Sequence, residues 1–71
     1  MSAYAVIIEG SKGSYSAYVP DLPGCVAAGS TIDEVEQLIR QAIDLHVERL
    51  RERGEAVPPP SAAAVRFVES A

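Results

Sequence analysis

The chain has 71 residues, of which 48% are apolar and 23% are charged, and its net charge at neutral pH is −4. Such a chain forms one domain at most and buries only about 60% of the surface that its unfolded form exposes, so a single copy is expected to be marginally stable. One cysteine and one histidine exclude an internal disulfide and a Cys/His metal site, and the acidic balance disfavours free nucleic acid as a partner. These properties favour additional stabilisation by a bound protein, either another copy of the chain or a basic partner.

The first half of the chain predicts three short strands, at about residues 3–10, 14–20 and 25–29. Branched and aromatic residues alternate with small or polar ones along the first two, which indicates that one side of each strand is buried. The glycines and serines of "GSKGS", between these two strands, are typical of a hairpin loop.

The connection between the second and third strands, "YVPDLPGC", is longer and stiffer than a hairpin requires. The sequence Leu-Pro-Gly-Cys at its end predicts a type II turn, because proline presets φ at the second position and glycine accepts a positive φ at the third. We predict a rigid structural turn that is also a candidate contact surface for a partner, formed by Pro20, Asp21, Leu22, Pro23 and Gly24. We expect Asp21 to cap the backbone of its own turn; the alternative is that its charge is presented to a basic partner.

A helix is predicted over about residues 32–53. Thr31 as N-cap and Glu34 three residues later form a capping box, and Gly54 suits the position after the last turn. The apolar face of this helix is wide. Either the sheet covers all of it, or one margin packs against another subunit, for which the candidate interface positions are Leu45, His46, Val47 and Leu50.

The remaining sequence predicts a proline-rich extended linker over residues 55–62 and a fourth strand at about 63–70. The order β-β-β-α-β then makes residues 1–71 a single α+β domain, in which one helix packs on a face of a sheet.

No residue pattern indicates catalysis. His46 would need a nucleophile or acid beside it to serve as a general base, and nothing local lowers the pKa of Cys25. Glu9 and Asp21 are the only acids before the helix, whereas a two-metal nuclease needs clustered carboxylates. We therefore expect a protein that is not an enzyme and has no catalytic residue, cofactor or metal ion. The start resembles no signal peptide and no apolar run could span a membrane, so a cytoplasmic location is expected.

The ordered combination of these features resembles the HicB-like antitoxin domain over roughly residues 3–70. An aromatic and aliphatic strand ends in an acid, a strand enters a PDLPGC-like turn, a Gly-X-Thr step opens an acidic helix, and a glycine, an acid and prolines follow it. The residues in those places are Tyr4, Glu9, Tyr18 to Cys25, Gly29, Thr31, Glu34, Ala42, Gly54 and Pro58 to Pro60.

The resemblance implies a partial ribonuclease-H-like fold without ribonuclease chemistry. It also implies neutralisation of a small basic HicA-like toxin, which cleaves messenger RNA, by masking the toxin's active surface. Such domains associate as dimers or larger homo-oligomers. Many members carry a DNA-binding tail, but this sequence stops at Ala71, so no direct nucleic acid binding is expected. The alternative is an orphan, self-associating structural or regulatory domain that has no toxin partner.

Overall fold

The computed structural model describes residues 3–61, which form a three-stranded antiparallel sheet with one helix on one face. The elements are β1 (Ile7–Ser11), β2 (Ser14–Tyr18), β3 (Val26–Gly29) and α1 (Ile32–Glu52), and the strands lie in the order β1-β2-β3. The α+β class is confirmed. The predicted fourth strand at 63–70 lies outside the described residues, and the ribonuclease-H-like description stays a prediction.

The first strand begins at Ile7, later than the predicted residue 3, and β2 ends at Tyr18 rather than at residue 20. The register explains both differences. Ile7 pairs with Tyr18, so continuing the ladder would place Ala5 opposite Pro20. Proline has no N–H to donate, and the ladder therefore stops before that pair.

The core lies between one face of the sheet and one side of α1. Among residues 3–61, six apolar residues are buried: Ala17, Val19, Leu22, Cys25, Val35 and Ile39. Partly buried apolar side chains surround them. These include Tyr4, Val6 and Ile8, which are alternate residues at the start of the chain and all pack against the core. The helix packs against β3 and β2.

The connection between β2 and β3, which we call the corner (residues 20–24), consists of two successive tight turns. The N–H of Leu22 donates to the carbonyl of Val19 at 3.0 Å, and the N–H of Cys25 donates to the carbonyl of Leu22, also at 3.0 Å. A further bond, from the N–H of Val19 to the carbonyl of Cys25 at 3.2 Å, closes the base. Gly24 has a φ of +87°, as the predicted type II turn requires.

The helix begins where the capping residues predict. The hydroxyl of Thr31 accepts a bond from the N–H of Glu34 at 3.1 Å, and the Glu34 carboxylate accepts one from the N–H of Ser30, also at 3.1 Å. The return bond thus goes to the residue before the N-cap, one position earlier than in the usual capping box. The first turn of the helix lies close to the end of β3, and this close packing depends on Gly29. A Cβ at that position would lie 2.6 Å from the Glu34 carboxylate and 3.0 Å from Val35.

Replacing Gly24 should test the corner without changing any side-chain contact, since a Cβ at this position would meet nothing within 4 Å. We expect Gly24→Ala to lower the free energy of unfolding by about 1–2 kcal/mol, the cost of a left-handed backbone for an ordinary residue. Gly24→Asn should lose less, because asparagine tolerates this conformation. Urea denaturation measures both. Equal losses would contradict the assignment of the cost to the backbone.

Leu22 should be the costliest position of the corner, because its side chain is fully buried. We expect Leu22→Ala to lower the free energy of unfolding by about 2–5 kcal/mol, enough to unfold much of a domain of this size. Val26→Ala is the matched control, since Val26 is 64% exposed and should change stability little. Thermal melting by circular dichroism distinguishes the two. Similar melting temperatures would show that the corner does not anchor the core.

Candidate functional site

The face of the sheet opposite α1 carries a row of three neighbouring apolar side chains, of which two are exposed and one is half-buried. The register pairs Ile7 with Tyr18, and Tyr18 with Val26, so the three residues stand side by side across the sheet. Their neighbour Ala17 is buried beneath the helix, which directs Tyr18 to the other face. Tyr18 is 42% exposed and Val26 is 64% exposed. We call Ile7, Tyr18 and Val26 the outer row.

The corner adjoins one end of the outer row, because Tyr18 leads into it and Val26 follows it. Pro20, Pro23 and Gly24 are exposed. The prolines and the three backbone bonds fix the shape of this surface before any partner arrives, so binding would cost little ordering entropy. Leu22 is the exception among the predicted contact residues. Its side chain has no exposed surface and belongs to the core, which agrees with its predicted structural role in the turn. Its role as a partner contact stays a prediction.

Asp21 makes a different contact from the one expected. Its carboxylate does not cap the corner but accepts bonds from residue 61: one from the Ser61 hydroxyl and one from the Ser61 N–H at 2.9 Å. Both bonds lower the pKa of Asp21 below its usual value, and the bond from the Ser61 hydroxyl has the larger effect. The negative charge therefore stays on the corner, where it also fixes a distant part of the chain.

That distant part is the proline-rich segment after α1, here called the strap (residues 55–61). Besides the bonds of Ser61, the phenol of Tyr4 donates to the carbonyl of Pro58 at 2.6 Å. Val57 lines a cavity of about 590 Å³ together with Tyr4, Ile43 and Val47. The strap thus runs from the end of the helix to the corner, and contacts the start of the sheet on the way.

The four helix positions predicted as a subunit interface do not share one surface. Val47 packs against the core, on the side of the helix that faces Tyr4, whereas Leu45 is 48% exposed on another side. His46 and Leu50 are half-buried. Their role in a subunit interface stays a prediction. The helical periodicity correctly groups apolar residues, but it does not say which of them the sheet covers.

The side chains considered for catalysis are not brought into a reactive arrangement. Cys25 is buried in the core, and this burial raises the pKa of its thiol, which opposes formation of the nucleophilic thiolate. Within residues 3–61, no three histidine, cysteine, aspartate or glutamate side chains converge as metal ligands would. In the same part of the chain, no helix combines the length and apolarity needed to cross a bilayer.

The sequence interpretation missed the outer row. Its residues come from three separate strands, and each is unremarkable in its own segment. The alternation along the second strand does assign Tyr18 to the face opposite Ala17. Only the register, however, reveals that Ile7 and Val26 flank it. Ser61 was missed as well, because no local pattern links it to Asp21, 40 residues earlier.

Residues 4–69 match the family model described as the HicB-like antitoxin of bacterial toxin–antitoxin systems. The chain belongs to this family, as the resemblance predicted. A structure-level match to the "HicA3 and HicB3 toxin-antitoxin complex" has a TM-score of 0.71 at 30% identity, and covers 83% of this chain and 70% of that chain.

Curated relatives extend across bacteria, archaea and phages. The chain is 36% identical over 63 residues to a UPF0150 protein of Thermoplasma acidophilum, which covers 87% of this chain and 91% of the relative. It is 39% identical over 56 residues to a UPF0150 protein of Synechocystis, covering 78% of this chain and 71% of the relative. A 14.9 kDa protein of Haemophilus phage HP1 is 38% identical over 55 residues, but the match spans only 41% of that protein.

The bonds between Asp21 and Ser61 should make stability depend on pH. Because the folded pKa of Asp21 is lowered, its contribution is present above the unfolded value of about 4 and is lost as the pH falls through the folded value. We expect the wild-type chain to lose more stability than Asp21→Asn between neutral pH and about pH 2. Denaturation curves across this range measure the difference.

Ser61→Ala is the matched partner variant. Since it removes the hydroxyl that donates to Asp21, its effect on stability should be smaller in the Asp21→Asn background than in the wild type. If the two substitutions add independently, the two residues are not coupled and the strap is not fixed at this point.

Proposed function

We propose that this protein is a non-catalytic antitoxin that neutralises a small basic HicA-like, mRNA-cleaving toxin by masking the toxin's active surface. Membership of the HicB-like antitoxin family supports the proposal, together with the similarity to a chain of a toxin–antitoxin complex. The chemistry would then reside in the toxin, and the antitoxin would contribute a fixed, complementary surface. Since the toxin acts on messenger RNA, the pair would work in the cytoplasm.

The observation that carries the proposal is the outer row beside the corner. Tyr18 and Val26 form an exposed apolar centre of the kind found at the middle of protein interfaces, where aromatic side chains contribute most. The prolines of the corner extend this centre with a rigid rim. An exposed apolar centre with a rigid rim suits the docking of another protein.

Charge supports a basic partner. The chain carries a net charge of −4, and Glu9 lies on the outer face beside the row, paired with Ser16. At the corner, Asp21 adds a further carboxylate, which is ionised at neutral pH as an ordinary aspartate is. A positively charged toxin would be steered toward such a surface, with a faster association that weakens at high salt.

Co-expression with the small basic HicA-like protein encoded nearest to this gene tests the proposal directly. We expect the antitoxin to relieve the growth arrest that the toxin causes, and the two proteins to copurify as one complex. A toxin that still arrests growth, with no complex on size exclusion, would contradict the function proposed.

Substitutions on the outer row locate the contact. We expect Tyr18→Lys combined with Val26→Lys to weaken toxin binding at least about tenfold, because it removes apolar contact area and adds repulsion toward a basic partner. The matched control is Gln37→Lys with Ala56→Lys, which adds the same charge at exposed positions of the helix and strap. Isothermal titration calorimetry measures both. Equal affinities of the two double variants would exclude the outer row as the docking surface.

A further inference from the structure

The outer face of the sheet drops from large to small side chains beside the outer row. In the next row of the register, Glu9 pairs with Ser16, and Ser16 pairs with Ala28. Each of these three is the chain neighbour of a residue that packs in the core or against it, so all three stand on the outer face, where they are exposed. We call Ser16 and Ala28 the shelf, because their side chains are much shorter than those of Tyr18 and Val26 next to them.

Glu9 stands at one end of the shelf and is the only charged residue in the three strands. Within residues 3–61, ion pairs form only on the helix and just after it, so no base of that part of the chain neutralises this carboxylate. Lys12 lies in the turn of the hairpin, beyond the last pair of the ladder, and repels a base that approaches from that end. A base of another chain therefore reaches Glu9 most easily from the side of β3, over the shelf.

The shelf has the dimensions and the chemistry to take an arginine side chain. Paired strands lie about 4.8 Å apart, so Ala28 and Glu9, which are two strands apart, are separated by roughly 10 Å. An arginine that enters over Ala28 would lay its aliphatic stem on the small residues and end with its guanidinium at the Glu9 carboxylate, which can accept two parallel hydrogen bonds. Tyr18 is the diagonal neighbour of Glu9, so its ring lies within reach of the same guanidinium.

We propose that Glu9 determines specificity for the partner by receiving one arginine of the partner across the shelf. The inference rests on the proposed antitoxin function, and it adds the residue that distinguishes a cognate toxin from another basic protein. A partner without an arginine at this position would desolvate the Glu9 carboxylate and leave it unpaired, which is costly. Lysine fits the site less well, since its ammonium is a point charge that cannot bind the carboxylate bidentately.

Isothermal titration calorimetry with the HicA-like protein encoded nearest to this gene tests the inference. We expect Glu9→Gln to weaken binding at least about tenfold, because the partner's guanidinium is then buried without a charged acceptor. Glu48→Gln is the matched control, since it removes the same charge from an exposed position on the helix, away from the outer face. It should bind within about twofold of the wild type, as is usual for a charge outside the contact.

Side-chain size at Ala28 tests the shelf itself. Ala28→Leu fills the shelf without changing any charge and should also weaken binding about tenfold or more, whereas Ala28→Ser leaves the shelf open and should not. Both substitutions fall on an exposed position, and circular dichroism verifies that the variants are folded. Equal affinities of the two variants would show that no side chain of the partner lies across the shelf, and would overturn the inference.

A charge swap identifies the partner's arginine. Glu9→Arg should abolish detectable binding of the wild-type toxin, and replacing one particular arginine of the toxin with glutamate should restore it in part, when the toxin's arginines are replaced one at a time. No restoration by any of these toxin variants would overturn the inference, as would full binding by Glu9→Gln. If the wild-type chain still binds the toxin tightly, the proposed antitoxin function survives those results. If the wild-type chain does not bind the toxin at all, the antitoxin function fails and the inference fails with it.

Discussion

The fold of the described residues depends on the corner between β2 and β3, because three of the six buried residues lie in it or directly beside it. Val19 and Cys25 close its base through a backbone bond, and Leu22 points from between its two turns into the core. These side chains meet Val35 and Ile39 of the helix. The rigidity of the corner thus has a structural cause: it holds a large apolar side chain inward at a place where a tight hairpin would have none.

A core built on one face of a three-stranded sheet leaves apolar surface elsewhere. The outer row lies on the opposite face, and Leu38 and Leu45 are exposed on the helix. Within residues 3–61, these apolar surfaces are not fully covered, and exposed apolar surface of this kind is available to other chains. The two surfaces point in different directions, so an assembly through one leaves the other free.

The sequence predicted the local features well. The type II turn at Pro23 and Gly24 and the helix start at Thr31 each depend on residues that are neighbours in the chain. Contacts between distant segments were not predictable in this way. Asp21 was expected to cap its own turn, but it binds a serine at the far end of the strap. Likewise, periodicity groups Leu45 and Val47 near one apolar face, but it does not say that the core contacts Val47 and leaves Leu45 exposed.

The strap also makes the fold sensitive to a cut far from the core. Its two ties join Tyr4 to Pro58 and Asp21 to Ser61, so the earliest and latest parts of the described fold depend on each other. Extended segments at the end of a domain are common sites of proteolytic cleavage. A single cleavage between the helix and Pro58 would release both ties at once, although it would leave every residue of the sheet and helix intact.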